Sequence, residues 1–362
     1  MVKSRNVIID IAKLVFSICI VANHTNAIGL SGENFSIIFR FGFLGVEFFF
    51  IVSGYLMFRK ASQIDLSRTS LSLATEQFIL RKLSIVLPYL LASWIFAFVI
   101  HQIGEESNFK HIIKNLCLSI PTLLQINLGG YGGYDVNGPT WYISAMMLSM
   151  LILYPIACVK KRDFSTMVAP LIVIFLYGYI IKTHGNYSVI EPKEGGFIYY
   201  GLLRGLAGIS LGCVSYQFAS KLSEYDYTEH GKLFLAAVEI ASYLLAIYGM
   251  HTQFLFRTDI TVVFSMFIAV TISFSQKSKT AELFKRQHNW LGKLSLCIYL
   301  SDAPARYLIS LLMPDKGHYD RLIPSFIAIA VVTVYVLITG KLFQKTARHI
   351  KAFISNKMIV HS

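Results

Sequence analysis

About ten runs of roughly twenty apolar residues, each long enough to cross a hydrocarbon core of about 30 Å as a helix, dominate this chain. In lipid a backbone must satisfy its own hydrogen bonds, so runs of this kind cross as helices. They fall at residues 7–27, 38–58, 80–101, 139–159, 166–183, 197–218, 233–251, 258–275, 291–312 and 322–343. Composition agrees. Hydrophobic residues make up 55% of the 362 and charged residues only 15%, against about 25% charged in soluble domains. The expectation is an all-α, polytopic integral membrane helix bundle. One membrane domain occupies residues 1–345, and 346–362 form a basic cytoplasmic tail.

Charge sets the orientation. With the N-terminus inside, the inner segments carry Lys3 and Arg5, then Arg59, Lys60 and Arg68, then Lys160, Lys161 and Arg162, then Lys221 and Lys232. Lys277, Lys279, Lys285 and Arg286 follow, and the tail adds Lys345, Arg348, Lys351 and Lys357. The outer segments are poorer, holding Lys110, Lys114, Lys193, Arg257, Lys316 and Arg321. Lys- and Arg-rich short loops stay in the cytoplasm, so ten spans with both termini cytoplasmic fit. The stretch 111–128, interrupted by Pro121, reads as a re-entrant or interfacial segment; as an eleventh span it would invert every later loop. The first run, with Asp10 and Lys13 inside it and no small-residue cleavage site after it, is read as a helix of the mature protein and not a signal peptide.

Basic loops account for the net charge of +13 without nucleic acid. Cys19, Cys117, Cys158, Cys213 and Cys297 stand singly, which suggests neither a disulfide framework nor a metal site.

Ionisable residues inside a span are costly and mark interior cavities. The first span holds Asp10, Lys13 and His24. At about 100° per residue, eleven steps bring His24 back to within roughly 20° of Lys13, and Asp10 and Ser17 share that face. Lys13 and His24 are then about 16 Å apart along the axis, which predicts a shared cavity or channel and no direct contact. Histidine is the side chain suited to take and return a proton near neutral pH. The alternative is a local Asp10–Lys13 pair near the headgroups with an interfacial His24.

Glu47 sits within the second span, with His24, Lys13 or Arg204 as candidate partners. Ser53–Gly54 is read as a close-packing site, the usual role of small residues in membranes. Arg81 and Lys82 open the third run and are either a positive-inside anchor or an anion site.

Together these residues resemble the acyltransferase 3 family of membrane O-acyltransferases. Lys13 and His24 look like its first-helix signature of a basic residue and a histidine separated by ten intervening residues. GFLGVEFFFIVSGYLMF from Gly42 resembles its second-helix pattern, GPTWYISAMMLSMLILYP from Gly138 its Pro-x-Trp segment, and LGKLSLCIYLSDAP from Leu291 its late Ser-x-x-Ile-Tyr-Leu helix. The strings occur in order over about residues 5–343. Two departures stand out: Ser84 and Ile85 where a second third-helix arginine falls, and Ser301 with Asp302 where many members carry a histidine.

The resemblance implies an enzyme that moves an acyl group, by preference acetyl, from cytoplasmic acyl-CoA to a hydroxyl of a surface polysaccharide or lipid-linked glycan. It implies a multi-pass protein of the bacterial cytoplasmic membrane, with no permanently bound cofactor. His24 is expected to be general base or acyl carrier, Lys13 to hold the donor, Glu47 to orient His24, Arg81 and Lys82 to meet CoA phosphates, and Trp141 and Tyr142 to stack on the sugar. A glycan transporter or flippase is the competing class.

Overall fold

In a computed structural model described for residues 6–26, 38–129, 133–192, 196, 198–252, 258–284 and 290–360, all regular structure is helical. The helices are α1 (Val7–Asn26), α2 (Gly45–Ser62), α3 (Leu71–Gly104), α4 (Phe109–Leu118), α5 (Ile120–Leu123), α6 (Trp141–Val159) and α7 (Lys161–Asp163). They continue as α8 (Ala169–His184), α9 (Tyr200–Glu224), α10 (Glu229–His251), α11 (Thr258–Ser275), α12 (Lys279–Leu283), α13 (Leu291–Leu312) and α14 (His318–Val360).

Each expected span coincides with one long helix. Eight helices among the described residues are long and apolar enough to cross a membrane. The other two expected spans are α9 (25 residues) and α13 (22 residues), which are long enough but more polar. Their neighbours explain the polarity: α9 is packed among α2, α6, α8 and α11, and α13 among α1, α3 and α14. Helices sheltered from lipid carry small and polar residues at little cost. Of the charge pattern, Lys3, Arg5, Lys193, Arg257, Lys285 and Arg286 lie outside the described residues, as do the side chains of Lys351 and Lys357.

Two boundaries differ from the sequence expectation. α3 starts at Leu71, capped by the Ser70 hydroxyl accepting from the Leu73 N–H at 3.3 Å. Its 34 residues extend about 51 Å, so Arg81 and Lys82 sit well inside the helix and not at its start. The stretch 111–128 breaks at Ser119 into α4 and α5. Ten residues reach only about 15 Å, too short to cross. α4 turns Phe109, Ile113 and Leu116 outward and ties Asn115 to Gln102 on α3 at 3.1 Å. It is a surface helix, and the eleventh span is excluded.

Helix directions support the same count. On α2 and α9, Glu47 meets Arg204, Gly54 meets Ile209, and Ser62 meets Tyr216, so contacts advance together and the helices run parallel. A parallel pair needs an odd number of spans between its members, here α3, α6 and α8. An extra span between them would make the pair antiparallel.

The α2–α9 approach is set by glycine. A Cβ at Gly54 would stand 2.0 Å from the Ile209 carbonyl oxygen, and one at Gly212 would stand 2.1 Å from that of Ile51. These are backbone contacts that cannot rotate away, so Gly54 packs as expected, while Ser53 beside it turns toward Met146 (3.3 Å to the sulfur). Gly54→Val or Gly212→Val is expected to cost at least about 1–3 kcal/mol, the range for overpacking. Gly178→Ala, where a new Cβ meets nothing within 4 Å, is the control. Thermal melting of the detergent-purified protein checks this; a melting temperature for Gly54→Val equal to that of the control would refute it.

At one end, Lys232 and Lys279 both bond Glu229 and Glu282, at 2.6–2.8 Å, clipping α12 to α10. Hydrogen bonds from the two ammoniums hold the Glu282 carboxyl down at about 2, so it keeps its charge as pH falls until that value. Exposed pairs of this sort add little stability.

Candidate functional site

The site is built where α1 meets α13. Ser17 and Ser295 hydroxyls lie 2.7 Å apart, the Ser295 hydroxyl also donates to the Lys13 carbonyl at 3.0 Å, and His24 Nδ1 lies 2.6 Å from Asp302 Oδ2. Seven residues separate the two contacts on each helix, in the same direction, so α1 and α13 are parallel and in register. Seven residues is two helical turns, the spacing that keeps one seam facing a partner. The polar stripe inferred from the helical wheel is therefore this seam.

Asp302 is itself held from the far side. Arg306, one turn on, donates from Nε to Oδ1 at 3.0 Å. The carboxylate is buried between a cation and an imidazole, as a buried charge requires. Pro304 lies inside the same turn and leaves the Leu300 carbonyl without its helical donor. The Ser93 hydroxyl (2.6 Å) and the Asn137 amide (3.0 Å) take that carbonyl instead. α3 and the loop before α6 thus brace the turn of α13 that presents Asp302 and Arg306.

Two cavities flank the seam. The outer one, about 420 Å³, is lined by His24, Asp135, Trp141, Glu191, Tyr199 and Arg306, among others. Desolvation in its wall raises the Asp135 carboxyl above the ordinary range, opposed by the Asn137 N–H at 2.9 Å. The inner one, about 220 Å³, is lined by Lys13, Ser17, Ser53, Lys82, Tyr142 and Tyr299 and by apolar side chains. Lys13 also bonds Asp10 at 3.2 Å, so the local pair and the cavity role coexist. Where one shared cavity was expected, Lys13 and His24 occupy two.

Three further expectations need correction. Trp141 and Tyr142 do not line one mouth: consecutive helical residues point about 100° apart, which sends Trp141 to the outer cavity and Tyr142 to the inner one. Of the Arg81–Lys82 pair, Lys82 lines the inner cavity, whereas Arg81 is exposed and not among the residues lining it. Glu47 lines neither cavity and does not meet His24. Its partner is Arg204, at 2.7 Å with both side chains at most 1% exposed, and the Tyr177 hydroxyl donates to its second oxygen. Arg204 in turn sits 5.0 Å from the Trp141 ring centroid, so Glu47 reaches the site only through Arg204 and that ring.

The family model for the acyltransferase domain of acyltransferase 3 proteins matches residues 6–340, which takes in the seam, both cavities and all ten long helices but the end of α14. The chain belongs to the acyltransferase 3 family. It is a multi-pass membrane acyltransferase. No curated protein and no solved structure matches it at comparable stringency.

Within this acyltransferase the residues that sequence alone did not assign are Asp302, Arg306 and Ser295, the partner of Ser17. Asp302 stood out only as a departure from the family pattern. Its spacing of four from Arg306 within an expected span was the available signal, because intramembrane charges face their partners.

Proposed function

We propose that this acyltransferase carries an acetyl or similarly short acyl group from cytoplasmic acyl-CoA to a hydroxyl of a surface glycan, in the cytoplasmic membrane of a bacterium. The observation that carries the reading is the His24–Asp302 pair on the wall of the outer cavity, in line with two lysines lining a cavity deeper along the same helices. The Lys-rich loops favour the Lys13 end as the cytoplasmic one. The donor thioester then enters past Lys13 and Lys82, and the acceptor enters beside Trp141 and Tyr199.

With Nδ1 held by Asp302, His24 keeps Nε2 for chemistry. In the proposed step Nε2 removes the acceptor hydroxyl proton as the oxygen attacks the thioester carbonyl. The carbonyl carbon–sulfur bond breaks, and the departing thiolate takes the proton back from the imidazolium. Asp302 holds the tautomer and offsets the charge on the ring, and Arg306 holds Asp302 in place. The apolar wall of the inner cavity suits an uncharged acyl group and the pantetheine arm.

The test compares the O-acetyl content of the surface glycan in cells with and without the protein. Loss of acetyl with glycan still at the surface supports the reading; unchanged acetyl with glycan missing from the surface would transfer it to the transporter class. In membranes supplied with acetyl-CoA, Lys82→Ala is expected to raise KM for the donor with little change in kcat, the mark of lost ground-state binding. Arg81→Ala should change less, because Arg81 is outside the cavity. Equal KM values for Lys82→Ala and wild type would remove Lys82 from the donor site.

A further inference from the structure

The two cavities share a wall. Tyr299 lines the inner cavity, and its hydroxyl donates to the carbonyl of Pro139, which lines the outer one. The Tyr142 ring backs it edge-to-face, with centroids 5.8 Å apart and planes at 76°. Tyr299 stands three residues before Asp302 on α13, roughly one turn below the His24–Asp302 contact. It therefore stands beside the seam between Lys13 and His24.

We infer that Tyr299 is the partition between the donor and acceptor cavities, and that its side chain swings off the Pro139 carbonyl to join them. The acceptor half of the latch is rigid, because proline fixes its own φ at the start of the Gly138–Thr140 turn. The donor half is a side chain on a continuous helix, free to rotate without moving the backbone. The inner cavity that Tyr299 lines provides the empty space into which the ring can turn. Closed, the partition keeps the acyl donor away from the outer cavity until an acceptor is seated. What passes through depends on the proposed function; the partition itself does not.

Thiol labelling tests it without any acyl donor. Ser53→Cys puts a reporter on the inner cavity wall, and Cys117→Ser removes the exposed thiol of α4. In the parent protein Cys117 reports that a small, charged, membrane-impermeant methanethiosulfonate has reached the His24 end. The Ser53→Cys reporter is expected to be protected from reagent added at that end. Adding Tyr299→Ala should abolish the protection, with labelling in the time that Cys117 needs. The same Tyr299→Ala protein without the reporter controls for the buried native cysteines. Tyr299→Phe, which keeps the ring and loses the latch, should label faster than the intact protein, and it serves if Tyr299→Ala does not fold. A reporter labelled equally with Tyr299 intact, or protected after Tyr299→Ala or labelled no faster after Tyr299→Phe in a folded protein, overturns the partition. Loss of acyl transfer with the labelling pattern as expected would count against the proposed function alone.

Discussion

His24→Ala is expected to lower acyl transfer by about 10²–10⁴-fold, the range for removing a general base, while the protein still accumulates in the membrane. The side chain is 26% exposed on a cavity wall, so its loss removes little packing. Asp302→Asn should fall between wild type and His24→Ala. It keeps the shape but removes the charge that steadies the imidazole, and it leaves the part-buried Arg306 beside a neutral amide. Turnover measured in membranes with matched protein amounts decides the order. If His24→Ala retains wild-type turnover, the imidazole is not the base. If Asp302→Asn is as active as wild type, the 2.6 Å contact does not act in the reaction.

Breaking the Glu47–Arg204 pair is the larger structural effect. Arg204→Met leaves a carboxylate buried in the bundle with only the Tyr177 hydroxyl, and the expected cost is about 3–5 kcal/mol. A single-span error of that size is enough to deplete folded protein. Glu47→Leu/Arg204→Met removes both charges together and is expected to recover most of the stability, because the desolvation penalty goes with the attraction. The double variant should nonetheless bind acceptor more weakly. Arg204 supports the Trp141 ring from 5.0 Å, and a thioether does so without the cation–π attraction. Thermal melting and acceptor KM separate the two effects. A single variant that melts with wild type would show that the pair carries no stability, and an unchanged KM in the double variant would detach Trp141 from it.

The sequence disclosed what depends on one helix at a time. Apolar runs located the spans, and even α9 and α13 were legible, because interior polarity dilutes a run without ending it. The helical wheel put Lys13, Ser17 and His24 on one face, and that face is the seam. What stayed hidden depends on which helix lies next to which. Glu47 had three candidate cations, and the α2–α9 contact chose Arg204 among them. Asp302 met His24 only because two helices run parallel in a common register. The start of α3 was hidden for a different reason: Ser72, Thr75, Glu76 and Gln77 break the apolar run in Leu71–Leu80, yet the segment propagates helix from a capped end.

The His24–Asp302 contact joins residues 278 positions apart. During synthesis α1 enters the membrane early, but its histidine has no carboxylate until the last-but-one long helix arrives. Under the proposed function, insertion order acts as a safeguard: a nascent chain holds the lysines of the inner cavity without the His24–Asp302 pair, and becomes competent only once α13 is in place.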